Sequence, residues 1–222
     1  MKQLPLFVAS ALALTASVGL AHASSITGEL WEVTNAQASN ATPAEIASLG
    51  AGLPGATFTV PSFNFSFNPT DSGSIYTLGT FLSSGGVSSA TYISGAASTD
   101  SLAGPSGAGG TLFQFTGSIT VTSGETFGAT HDDGITLVID GVSVFPAGAS
   151  GPTSAVFTEA AYTGPSGTYA FDLVYGECCG PPAELVLAQT PLPAALPLFA
   201  SGLGVVGFLG LRRKRKAAAL AV

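Results

Sequence analysis

Apolar residues that recur at every second position constrain most strongly what this chain can fold into. Phe113, Phe115, Ile119 and Val121 share one parity, and so do Tyr169, Phe171, Leu173 and Tyr175. Side chains repeating with period two line one face of a strand, so both runs predict half-buried β-strands. Further strands are predicted over 28–33, 57–67, 75–82, 154–160 and 184–189. Residues 135–139 and 142–145 flank Asp140-Gly141, a two-residue turn that predicts a hairpin. One helix is expected: Thr42-Pro43-Ala44-Glu45 sets a capping hydroxyl, an N1 proline and an N3 carboxylate in order, and Gly50 ends it. Asn68-Pro69-Thr70-Asp71 reads as a turn. Residues 83–110, rich in Gly, Ser and Ala, read as a long Gly/Ser-rich surface loop. No internal repeat is present. Many short strands between glycine-rich turns predict an all-β fold, an antiparallel, jelly-roll-like β-sandwich with one short helix.

Charge is distributed as unevenly as hydrophobicity. The six basic residues are Lys2 and the run Arg212, Arg213, Lys214, Arg215 and Lys216, so residues 24–189 contain no Lys or Arg. All thirteen acidic residues lie inside that span, giving it a formal charge of −13 with His131 neutral. Nucleic acid is excluded as a partner, because phosphate binding needs cations for counterion release. An acidic surface instead suits divalent cations, neutral sugars and solubility.

The two ends differ from the middle. Met1-Lys2-Gln3 precedes an apolar run to Leu20 that closes on Ala21-His22-Ala23. A basic start, an apolar centre and a small-x-small exit predict a secretory signal peptide over 1–23, cut after Ala23 by signal peptidase. At the other end, 190–222 opens on Thr190-Pro191-Leu192-Pro193-Ala194. The 18 residues 194–211 are apolar, about 27 Å as a helix, which predicts a membrane-spanning segment. Arg212 to Lys216 belong on its cytoplasmic side, leaving the domain outside the inner membrane. This tail resembles the PEP-CTERM sorting signals of Gram-negative bacteria, in the variant reading Val-Pro-Leu-Pro-Ala. Pro191, Leu192, Pro193 and Ala194 match, and Thr190 replaces the usual Val. The resemblance implies recognition by an exosortase-type membrane protease, an inner-membrane-anchored intermediate, and delivery to the envelope surface or extracellular matrix.

Chemistry concentrates in two segments of the domain. Thr130-His131-Asp132-Asp133-Gly134 places two adjacent carboxylates between strands, suited to a hard cation such as Ca²⁺ or to a solvated turn. The pattern from His131 to Gly141, Asp-Asp-Gly, apolar run, Asp-Gly, resembles the protective-antigen-type (PA-fourteen) β-sandwich domain. Many members of that family bind carbohydrate. In its lectin branch the paired aspartates, joined by a cis peptide, hold Ca²⁺, which bridges to sugar hydroxyls. Carried over, the metal residues are Asp132 and Asp133. That branch also uses an asparagine from a later loop, and this chain has no Asn after Asn68. Glu177, or backbone carbonyls near Gly180, are the candidate substitutes.

Cys178 and Cys179 are the only cysteines. Export places them in an oxidising compartment, where they can close a vicinal disulfide, pair between chains or remain buried thiols; the vicinal disulfide is the reading preferred here. Two thiols and one distant histidine do not make a zinc site. An enzyme is not expected. His131 is the only histidine of residues 24–189, Asp132 adjoins it on alternating faces, and no Gly-x-Ser-x-Gly elbow occurs. The expected function is a non-catalytic, calcium-assisted binding module for extracellular polysaccharide. The rivals are a structural exopolysaccharide or biofilm-matrix protein with no discrete ligand and, behind both, a polysaccharide hydrolase acting through a carboxylate pair.

Overall fold

The structure is a computed structural model that describes residues 26–50, 52–61, 63–67, 77–103 and 109–190. The expected signal peptide with its cleavage at Ala23, the Asn68–Asp71 turn, the motif Pro191, Leu192, Pro193, Ala194, the apolar segment 194–211 and the cluster 212–216 all lie outside the described residues. Among the described residues no helix is long and apolar enough to cross a membrane.

The chain begins with β1 (Ile26–Thr34), α1 (Asn35–Ala38), α2 (Pro43–Ser48), β2 (Ala56–Val60) and β3 (Asn64–Phe67). It continues with α3 (Leu78–Ser84), β4 (Ala90–Tyr92), the long β5 (Gly109–Val121), β6 (Thr126–Asp132), β7 (Gly134–Ile139) and β8 (Val142–Ser143). A 3-10 turn (Ala147–Ser150), β9 (Val156–Ala161), β10 (Gly167–Glu177) and β11 (Ala183–Thr190) complete it. Two sheets form, one ordered β4-β2-β1-β5-β10-β7-β8 and one ordered β3-β11-β6-β9. Neighbouring strands are antiparallel in both sheets. The fold is therefore the all-β antiparallel sandwich that the alternation predicts.

The shared parity of Phe113 and Phe115 on β5 and of Phe171, Leu173 and Tyr175 on β10 turns these side chains into the core. Phe65 and Leu185 of the smaller sheet meet them from the other side. Phe65 stacks on Phe81 of α3 at 5.2 Å between ring centroids, and Phe63 meets Phe115 edge to face at 5.3 Å. The opposite parity of β5 and β10 also finds cover. Leu112 and Val174 pack with Ala41 and, at the margin, Ile46 and Leu49, so α2 lies on the outer face of the large sheet. Thr42 caps α2 as expected, accepting from the Glu45 amide at 3.1 Å.

Four expectations are corrected. Of the strand expected over 75–82, the described residues 77–82 do not form one: Thr77 caps α3, and Leu78, Phe81 and Leu82 fall at helical spacing and are all buried. The predicted strand 57–67 is two, β2 and β3, assigned to different sheets, with Pro61 between them. The 83–110 segment is not a surface loop throughout, since it contributes β4 to the large sheet and buries Val87 and Leu102. The single expected helix is accompanied by α1 and α3, each opened by a capping box.

Candidate functional site

Two of the links that carry the chain from one sheet to the other lie side by side at one end of the sandwich. β6 ends at Asp132 and β7 begins at Gly134, so Asp133 alone spans the first crossing. Residues 178–182 make the second, from β10 to β11. Register puts them side by side, with Gly176 opposite Gly134 in one sheet and Glu184 opposite Asp132 in the other. Gly134 is required by close approach, because a Cβ there would stand 2.2 Å from the Ser150 carbonyl oxygen. That contact brings the segment after Ser150 against the paired aspartates.

The result is an open cleft of about 580 Å³ lined by Asp132, Asp133, residues 152–155 and residues 179–182. Both carboxylates face it, although the two residues are only 5 % and 4 % exposed. The Asp132–Asp133 peptide is cis, as is Pro181–Pro182. Each Asp133 oxygen accepts one backbone amide: Oδ1 from Thr153 at 3.0 Å and Oδ2 from Cys178 at 2.9 Å. One amide per oxygen orients the group and leaves lone pairs free for a cation.

The backbone of the dyad is held from behind. His131 Nδ1 bonds the Asp133 carbonyl and Nε2 bonds the Thr158 hydroxyl at 2.8 Å. A carbonyl can only accept, so Nδ1 carries the proton and Nε2 accepts. Burial pushes the imidazole pKa down, in keeping with a neutral ring. Both nitrogens are committed to these bonds, which makes His131 a structural support. The Tyr175 hydroxyl bonds the Asp132 carbonyl and reaches Glu177 Oε2 at 2.7 Å.

The electrostatics of the site are one-sided. Burial raises the Asp132 pKa to about 6, with the Asp133 charge adding to the rise, the Ala155 amide opposing it and Glu184 adding a smaller increment. Burial likewise raises Asp133, against the lowering effect of the Cys178 and Thr153 amides and of His131. No Lys or Arg exists anywhere in 24–189 to offset these charges. Two adjoining, amide-oriented carboxylates with uncompensated charge suit a hard, oxygen-seeking divalent ion.

Of the residues singled out from sequence, Asp132, Asp133 and Cys179 line the cleft together with Gly180. Glu177 does not line it; its carboxylate is fully buried behind the dyad. Cys178 and Cys179 are joined in a vicinal disulfide, Cys178 buried and Cys179 exposed. Their sulfurs and an Asp133 oxygen come within 4.8 Å of one another. Disulfide sulfurs are not thiolates, however, and add little to metal binding. Sequence reasoning missed Pro152, Thr153 and Ala155, since a loop that contributes its backbone carries no side-chain signature.

No family model and no curated protein matches the chain by sequence. Solved structures do overlap with it. One is the crystal structure of the PA14 domain of the MpAFP antifreeze protein, with TM-score 0.48 and 22 % identity, covering 74 % of this chain and 79 % of that one. Another is the PA14 sugar-binding domain from an RTX adhesin, with TM-score 0.47 and 20 % identity, covering 76 % and 91 %. A third is an anti-sigma factor domain-containing protein from Clostridium clariflavum, with TM-score 0.43 and 14 % identity, covering 78 % and 43 %.

Proposed function

We propose that this protein is an exported, non-catalytic binding module that holds a neutral extracellular carbohydrate through a calcium ion at Asp132 and Asp133. The observation that carries the reading is the cleft itself. Two neighbouring carboxylates are buried at its base, oriented by backbone amides and left without a cation in the surrounding chain. Asp132 and Asp133 would hold the ion, with backbone carbonyls of 152–155 and 179–182 as the available neutral oxygens. Calcium so bound supplies the missing positive charge and open coordination positions for sugar hydroxyls. The chain's own part is orientation: the Thr153 and Cys178 amides aim Asp133, His131 and Tyr175 hold the backbone, and the prolines of both loops wall the cleft. Export and sorting through the tail 190–222, first by signal peptidase and then by an exosortase-type protease, would deliver the module to the cell surface or matrix.

Thermal unfolding of the full-length chain, with calcium and then with excess chelator, tests the metal. At a hundredfold excess over its dissociation constant, calcium stabilises by about 2.7 kcal/mol. The rise is expected to vanish in Asp132→Asn and Asp133→Asn. No effect at millimolar calcium would overturn the metal-bridged reading and favour a matrix protein without a discrete ligand.

A further inference from the structure

The outer face of the small sheet carries a feature that the cleft does not use. Residues paired across neighbouring strands share a face. Asp132, Thr130 and Gly128 of β6 therefore lie on the same face as Glu184 and Val186 of β11 and Phe157 and Glu159 of β9. Phe157 is opposite Thr130, two residues from Asp132. That diagonal places the two residues about 7–8 Å apart. Phe157 is 59 % exposed, and Val156 beside it is 40 % exposed. They are also the residues that directly follow the cleft-lining segment 152–155.

The Phe157 ring is seated on the sheet. A Cβ at Gly128 would lie 2.6 Å from its Cζ, so the ring occupies the space that a side chain on β6 would take. An aromatic covering a glycine on the next strand is a known stabilising device. Yet more than half of this residue still faces solvent, on a face that also carries Thr130, Val186, Ser66, Asn64 and Ala188 and the acidic Glu159, Glu184 and Asp132. A ring fixed on one side and open on the other loses little freedom when a ligand covers it. Its neighbours include no Lys or Arg, so an anionic polymer gains nothing there.

We infer that Phe157 is the platform of a second subsite, on which the following unit of a neutral polysaccharide stacks when the first is held at Asp132 and Asp133. The inference rests on the sugar-binding reading of the cleft and adds that the ligand is a chain rather than a single sugar. The apolar face of a pyranose covers the open side of the ring, and the polar residues of this face, Thr130, Asn64 and Ser66 with Glu159 and Glu184, offer partners to the hydroxyls of a chain that continues across the sheet.

Binding by the full-length protein in millimolar calcium is measured for methyl glycosides of mannose, galactose and glucose, and for linear tetrasaccharides of the same sugars. The tetrasaccharide of the accepted sugar is expected to bind roughly tenfold tighter than its methyl glycoside, a difference of about 1.4 kcal/mol. Phe157→Ala should abolish that gain, leaving methyl glycoside affinity and the calcium-induced stabilisation unchanged, and Phe157→Tyr should preserve it. Tetrasaccharide affinity unaltered in Phe157→Ala, or an equal loss for both lengths, overturns the subsite while the cleft reading stands. Sedimentation of the same variants covers the rival occupant: a dimer that Phe157→Ala dissolves, with glycan affinity unchanged, also overturns it. Absence of glycan binding at either length removes the cleft reading and the subsite together.

Discussion

Between its sheets this domain is held by aromatic rings, whereas at the end where the β6–β7 and β10–β11 links cross between the sheets it is held by carboxylates and backbone amides. Phe113, Phe115, Phe65, Phe81 and Tyr175 stack or meet at a tilt, with no polar atom among them except the Tyr175 hydroxyl, which points toward the crossing. Burial of this kind is non-directional and tolerant of small shifts. At the crossings both Asp133 oxygens have a named donor, and burial works against the charges instead of for them. The difference teaches where stability and where specificity reside. The core makes the fold favourable, and the crossings spend part of that stability to keep two carboxylates aimed into one cleft.

Removing a ring should break the comparison most severely. Phe115 touches Phe58, Phe63, Phe65 and Phe113. Phe115→Ala is expected to cost about 3–5 kcal/mol in denaturant unfolding. The loss should be the same with calcium or chelator, because the ring does not reach the cleft. A calcium-dependent loss would mean that core and crossing are not separable.

Asp133→Ala should cost less, about 1–3 kcal/mol without metal, by stranding the Thr153 and Cys178 amides. It should also abolish any calcium response. Asp133→Asn keeps one acceptor oxygen, so its metal-free loss should be smaller while the calcium response is still gone. Equal losses for the two variants would show that the amide bonds do not orient the group.

The smallest effect is a pH slope. An aspartate whose folded pKa stands near 6, against 3.8 unfolded, binds more protons in the folded state between those values. Metal-free stability should therefore fall as pH rises from about 4 to about 6 and level off above that. Burial also raises Asp133, Asp172 and Glu32, which slope the same way, and lowers His131, which slopes the opposite way, so the telling quantity is the difference from Asp132→Asn. That variant should show a shallower decline and, above pH 6, a midpoint no lower than the parent's. Parallel curves would place the repulsion elsewhere.

Much of the architecture was legible where one face of a strand alone is buried. β5, β10 and the β7–β8 hairpin follow from alternation and from Asp140-Gly141, whose φ values of 50° and 75° fit a tight hairpin turn. α3 was misread although its signals were present, with Thr77 as a cap and Leu78, Phe81 and Leu82 at helical spacing. β6 was passed over because its inward positions include the small Ala129, which gives alternation little contrast. Within the cleft, the aspartate pair and the cysteines stood out as residue types. Glu177 did too, but its carboxylate lies behind the dyad with Tyr175.

By itself the sequence determined the fold class, the absence of cations from 24–189 and the identity of the acidic pair, because periodicity, charge and adjacency are local properties. Only tertiary structure decided that Asp133 spans one sheet crossing, that 152–155 and 178–182 converge on it, and that Phe157 shares a face with Asp132. The physical reason is that backbone amides donate alike whatever the side chain, and strand register sets which residues are neighbours only after the sheets have paired.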